Sequence, residues 1–296
     1  DGAPMSLLDF LSDLANPSLA FLPRALLIAV LSSLVCGLVG AHVVLRGLSF
    51  VGDALSHAVF PGIAIAFALQ GSILLGGAVA GILVAILISV FSQNRRVGED
   101  SVIGVFFAAA FALGLVVVAR TPGYTGSLES LLFGSLTGVT NTDVLISLGA
   151  CVAIGIALAV FHDRIVLVSV DRDFAISTGL RVGRIDVLLH LAIATAVVVS
   201  IQTIGNVLVL ALLVAPAATA RLLTDRVVPM MLIGPAIGAV SAFLGIWASW
   251  SLDIPSGAAI VLVATLLFVL AQLLSPGRGL LLRARPAAQT IERTLA

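Results

Sequence analysis

Of the chain's 296 residues, 60% are hydrophobic and 10% charged, the formal net charge is zero, and the mean hydropathy is +1.22. Soluble domains carry about 25% charged residues, so this composition excludes a soluble globular protein and, with long apolar runs recurring along the chain, specifies a polytopic membrane protein. The balanced charge gives no footprint for nucleic acid, and the two cysteines, Cys36 and Cys151, sit in apolar runs as small hydrophobes rather than as a disulfide framework.

Taken in chain order, Asp1–Pro4 ahead of Met5 reads as a cleavage scar and stands outside the fold. Residues 5–22 place Leu7, Leu8, Phe10, Leu11 and Leu14 at helical spacing, an amphipathic segment expected at the membrane interface. Asp9, Asp13, Asn16 and two prolines interrupt it, so no signal peptide is expected there. A single membrane domain is expected over 23–275, with spans at about 23–44, 52–69, 73–91, 102–119 and 143–161. A Gln70-Gly71 turn, a polar loop at Ser92–Asp100 and a Gly/Ser/Thr-rich connection at Thr121–Thr142 separate them. His162–Asp186 is the longest polar stretch. The apolar run 187–220 would be about 50 Å long as one helix, against a hydrocarbon core of about 30 Å. Gln202-Thr203-Ile204-Gly205-Asn206 interrupts it, so two short passes are expected, the first of about 16 residues, forming a broken helix at a protein-lined cavity. Spans at about 229–250 and 256–275 follow, and then a basic tail, 276–296.

The fold class is therefore all-α, with about nine transmembrane helices (eight to ten). Every basic residue is arginine. With nine passes and a cytoplasmic tail, thirteen arginines fall inside and two, Arg24 and Arg120, outside, as the positive-inside rule requires. The N-terminus is then expected outside and the C-terminus in the cytoplasm of a bacterial cell membrane.

One segment carries chemistry in the middle of all this oil: Gly52-Asp53-Ala54-Leu55-Ser56-His57-Ala58-Val59-Phe60-Pro61-Gly62. Asp53 and His57 are i and i+4, on one helical face, and an Asp within a span costs about 3 kcal/mol on insertion scales. Asp53 could simply favour a helix start and His57 bond a carbonyl. Carboxylate plus neutral imidazole is also a ligand set for first-row divalent metals, and two chains about a twofold axis would supply four such ligands. His42 and Arg46, also i and i+4, read as an interfacial pair facing water or headgroups. His190 reads as a packing histidine and His162 as solvated. Glu129 and Asp143 flank the connection at 121–142. Asp171–Leu180 reads as a charged start, a short helix and a Gly179 C-cap. Pro216–Arg226 reads as a proline break, small residues and a basic turn, a short helix outside the lipid that could dock a cytoplasmic partner.

Four pieces together, GLSFVGDALSHAVFPGIAIAF (47–67), RDFAISTGLRVGRID (172–186), IGNVLVLALLVAPAATARLL (204–223) and LDIPSGAAIVLV (252–263), resemble the metal-transport permeases of bacterial ABC importers, the ABC-3 family serving zinc, manganese and iron. The chain is more distantly similar to the vitamin B12 and siderophore permeases, the type II importers, whose hairpin has a similarly short second arm. The resemblance implies a homodimer of permeases on two ATP-hydrolysing subunits, fed by an extracytoplasmic metal-binding protein. It implies that Asp53 and His57 line the metal path, and that Pro216, Ala217, Ala218, Thr219, Ala220, Arg221, Leu222 and Leu223 seat in the ATPase. Ser56, Pro61, His190 and Asn206 are further pore or packing candidates. No tightly bound cofactor is expected beyond the transported Mn, Zn or Fe. No G-x-x-x-x-G-K-[ST] loop occurs, so the chain is expected to be a transport subunit and not itself an ATPase. A His-Glu-x-x-His metalloprotease motif is also missing. The rivals left open are a chelate permease and a secondary transporter driven by an ion gradient.

Overall fold

The computed structural model describes residues 6–48, 50–93, 96–120 and 138–275, and among them every regular element is helical. They are α1 (Leu7–Leu14), α2 (Phe21–Arg46), α3 (Val51–Ala68), α4 (Ile73–Phe91), α5 (Glu99–Arg120) and α6 (Asn141–Val160). The short α7 (His162–Val170) and α8 (Arg172–Ser177) follow, then α9 (Val182–Ile204), α10 (Asn206–Leu223), α11 (Val227–Leu252) and α12 (Ser256–Leu274). Nine of them, α2 to α6 and α9 to α12, are long and apolar enough to cross a membrane. Glu129 and the tail 276–296 lie outside the described residues.

The core is built by α2, α3, α9 and α10. Helix α2 packs on α10 and α11, α3 on α4 and α5, and α9 on α4 and α2. Buried side chains run from Ile28 and Val39 on α2 through Leu55 on α3 to Leu189, Ile193 and Leu212 on α9 and α10. The outer faces of α4, α5, α6 and α12 stay apolar and exposed, as at Leu83, Val105, Val152 and Leu262, which suits helices bathed in lipid. Small residues bring two backbones together at α3 and α4. A Cβ on Gly62 would run into the carbonyl oxygen of Gly76, and one on Gly76 into that of Gly62. Such contact needs a glycine on each side.

The amphipathic start becomes α1, capped by reciprocal bonds between Ser6 and Asp9. It is fastened to α11: Phe10 is buried with its ring edge-on to Phe243 at 5.9 Å, and the Trp250 indole N–H donates to Asp13 at 2.9 Å.

The run 187–220 is two passes, and the break falls at Gly205, whose φ of 79° and ψ of 163° are open to glycine. Helix α10 has 18 residues and α11 has 26, about 27 Å against 39 Å at 1.5 Å per residue. The first arm corrects the sequence reading. It has 23 residues, not about 16, because Val182–Asp186 belong to its start and Thr203 and Ile204 to its end. The apparent polarity of that stretch is neutralised across the fold: the Asp186 carboxylate is held by Arg46 and Arg172, each at 2.7 Å. A second correction concerns Pro216. It does not break the chain, and α10 runs through it to Leu223, since a proline missing one helical bond is tolerated where neighbouring helices pack around it.

Candidate functional site

Gly47, in the left-handed region at φ 73°, ends α2, and Leu48 N–H returns to the Val43 carbonyl at 3.0 Å. The chain therefore doubles back at once, and α3 begins beside α10 rather than at a distant surface: a Cβ on Gly52 would meet the Leu213 side chain. From Val51 to Ala64 every residue of α3 is buried except two, Asp53 and His57. Their side chains are 33% and 26% exposed, with His57 Nε2 3.5 Å from Asp53 Oδ1.

Three further groups close on the imidazole. Asn206, the first residue of α10, sets its Nδ2 3.4 Å from His57 Nε2. Phe107 and Phe111 of α5 present their faces or edges to the ring at 5.2 and 5.3 Å, and stack on each other. The site thus joins α3, α5 and the α9–α10 break. Asn206 was among the sequence candidates, but its contact with His57 was invisible at a separation of 149 positions. The phenylalanines were missed altogether, because an i, i+4 aromatic pair on an apolar helix looks like any lipid-facing pair.

The other candidates scatter. Ser56 is buried and bonds back to the Asp53 carbonyl at 2.8 Å, which is local helix chemistry. Pro61 has no N–H to offer the His57 carbonyl four residues earlier. It lines an apolar groove of about 650 Å³ with Ala58, Gly62, Ile65, Phe106 and Leu113, which Asp53 and His57 do not line. Within Pro216–Leu223, Pro216, Ala217, Thr219 and Ala220 are buried, with Ala217 and Ala220 against Ala41 and Met230. The reachable surface there is Leu223 to Val228. Asp143 caps α6 through Thr140, with reciprocal bonds of 2.9 and 3.2 Å.

At the arginine-bearing end, His42 and Arg46 are not the interfacial pair expected. His42 is fully buried, and the Arg46 side chain, 6% exposed, is drawn inward by Asp186 and by Ser169, which accepts from Nε at 3.0 Å. The cause is the antiparallel meeting of α2 with α9, which brings a buried acid opposite the arginine. His190 also lies there, 21 Å or so along α9 from the break.

Among the described residues no three His, Cys, Asp or Glu side chains gather into a metal site, so one chain offers two donors at Asp53 and His57. Among the described residues, nine apolar helices, one of them short and starting at a break in the membrane domain, with a carboxylate and an imidazole beside that break, define a membrane permease. The ABC 3 transport family matches residues 18–275, and the chain belongs to that family: it is an ABC-3 metal permease, a multi-pass transport component of a bacterial membrane. It is 41% identical over 266 residues to the manganese transport system membrane protein MntC of Halalkalibacterium halodurans, covering 90% of this chain and 91% of that one. It is 35% identical to the probable iron transport system membrane protein of Haemophilus influenzae, over 92% and 96% of the two chains. Among solved structures it matches PsaBC from Streptococcus pneumoniae in complex with Fab, with a TM-score of 0.80, 32% identity, and 92% and 98% coverage. The fold is shared with an inward-facing metal-chelate type ABC transporter, at a TM-score of 0.67 and 19% identity over 84% of each chain.

Proposed function

We propose that two copies of this chain form the import path for a divalent transition metal ion, manganese or iron before zinc, with Asp53 and His57 of both copies holding the ion in transit. The supporting observation is the accessibility of α3: twelve of the fourteen residues from Val51 to Ala64 are buried, and the two left open are the acid and the imidazole, Asp53 and His57. Facing lipid, the aspartate alone would cost about 3 kcal/mol. Facing its own copy, it completes a four-donor site of a kind that suits these metals. The relatives named for manganese and iron support that cargo.

In this reading the arginine-rich end faces the cytoplasm. An extracytoplasmic binding protein releases the ion toward the shared axis. Asp53 and His57 take it, while Asn206 and the Phe107–Phe111 stack fix the imidazole and exclude water on one side. Cytoplasmic ATPase subunits seat against the end of α10 at Arg221–Val228, and their closure is transmitted along α10, whose other end is the Asn206 beside His57. The ion then leaves inward, so the stop must be weak. A chelate permease would not need the acid and imidazole.

The test is metal uptake into proteoliposomes holding the chain with its ATPase. His57→Ala should lower uptake of ⁵⁴Mn at least about tenfold, the scale of one lost interaction of 1.4 kcal/mol, with ATPase assembly unchanged. Uptake equal to the parent would remove the assignment.

A further inference from the structure

Carboxylate and imidazole meet a second time in the molecule. At the arginine-rich end, α5 opens with Glu99, and α9 carries His190 one turn after Asp186. His190 Nδ1 lies 2.9 Å from the Asp186 carbonyl oxygen. A carbonyl only accepts, so the hydrogen is on Nδ1 and, in the neutral ring, Nε2 keeps its lone pair. That Nε2 is buried without a hydrogen-bond partner, on a side chain 0% exposed, and sits 3.5 Å from Glu99 Oε1. Two electron-pair donors this close repel unless a proton or a metal ion lies between them.

The spacing says which kind. A direct charge-assisted hydrogen bond would draw the atoms to about 2.7–2.9 Å. Two metal bonds of about 2.1 Å at a tetrahedral angle hold N and O about 3.4 Å apart, close to what is seen here and to the 3.5 Å between His57 and Asp53. The charges around His190 leave this position to Glu99. The Asp186 carboxylate is taken up by Arg46 and Arg172 at 2.7 Å each, so it neither competes for the ion nor leaves Arg46 unbalanced beside it. Glu99 is 23% exposed and His190 is fully buried, so the pair is reached from the Glu99 side.

The two pairs also share a wall. Glu99, Ile103, Phe107 and Phe111 follow one another at four-residue spacing on α5, and so line one face of that helix. Phe107 and Phe111 touch His57 at one end of this stripe, Glu99 faces His190 at the other, and the buried Ile103 lies between.

We infer that Glu99 and His190 form a second binding station for a first-row divalent cation, opening at the arginine-rich end of the molecule. This extends the reading of the chain as a path for such ions, while its ligands are separate from Asp53 and His57. Waters complete the coordination, as befits a brief stop.

The experiment uses the full-length chain in detergent with Mn²⁺ as the sole added ion, read by pulsed electron paramagnetic resonance for imidazole nitrogen coupled to the metal. A D53N/H57Q variant removes the first site, and it should still bind Mn²⁺ with one coupled nitrogen. Adding E99Q should abolish that binding, and adding H190Q should abolish the nitrogen coupling, with melting temperatures showing that each variant folds. Glu99→Gln keeps the size of a partly exposed side chain, so folding is the easier condition to meet. Loss of all Mn²⁺ binding in D53N/H57Q at neutral pH would overturn the inference, as would binding there that E99Q leaves intact. Failure of the Asp53 and His57 reading shows separately, as unimpaired uptake by H57A.

Discussion

Asp186→Asn is the substitution that most sharply tests how the arginine-rich end is held. It keeps the side chain's size and removes its charge. Asp186 is 3% exposed and accepts from Arg46 Nη1 and Arg172 Nη2, both at 2.7 Å. The two pairs are not equal. Arg46 is 6% exposed and its Nη2 has no partner, so neutralising Asp186 strands a buried guanidinium, at a cost of about 3–5 kcal/mol. Arg172 is 35% exposed, and its share is that of a surface pair, about 0–1 kcal/mol. Asp186→Asn should therefore cost about 3 kcal/mol or more and Arg172→Gln less than about 1 kcal/mol. For a chain of this size each kcal/mol is worth about 2–3 °C of melting temperature, which gives a drop of roughly 6–9 °C for Asp186→Asn and at most about 3 °C for Arg172→Gln. The assay is thermal unfolding in detergent followed by intrinsic fluorescence, since Trp247 and Trp250 lie at the far end of α11 and report global rather than local melting. A fall within about 1 °C of the parent for Asp186→Asn, or equal falls for the two variants, would refute the argument.

Three other expectations follow from the same structure. Asp53→Asn should lower metal import at least about tenfold at low metal concentration, the scale of one lost interaction of 1.4 kcal/mol, and more metal should restore the rate; import equal to the parent in proteoliposomes would count against this ligand. Gly76→Ala should destabilise by about 1–3 kcal/mol, the usual cost of overpacking, whereas Gly104→Ala, where an added Cβ meets nothing within 4 Å, should be neutral or stabilising in the same melting assay. Trp250→Phe removes the donor to Asp13 and should cost about 0.5–1.5 kcal/mol, read as faster hydrogen exchange confined to Leu7–Leu14; unchanged exchange would show that Phe10 alone fastens α1.

What could be seen in the sequence was whatever depends on neighbours in the chain. The nine apolar helices, the interruption at Gly205 and the shared face of Asp53 and His57 all follow from local periodicity or from a local run of polar residues. What escaped depends on partners far away. Arg184 and Asp186 made the start of α9 look like loop, because nothing nearby in sequence announces that Arg46, 140 positions earlier, will neutralise the acid. His42 and Arg46 looked interfacial for the same reason. Pro216 looked like a break because proline is usually one, and the helices that surround α10 cannot be read from its own residues. The partnership of Asn206, Phe107 and Phe111 with His57 is likewise a product of packing, whereas Asp53 and His57 stood out as candidates through their spacing and the cost of charge in oil.

The shortness of α10 has an electrostatic result. Both α3 and α10 begin at the site, Asp53 in the first turn of one and Asn206 at the first position of the other. Each helix start carries about half a positive charge from its aligned peptide dipoles. These two partial charges steady the aspartate, and they also push against any cation resting on it. In the proposed import path, a dication attracted by Asp53 and His57 would at the same time be repelled by the peptide groups behind them, which keeps the stop from becoming a sink.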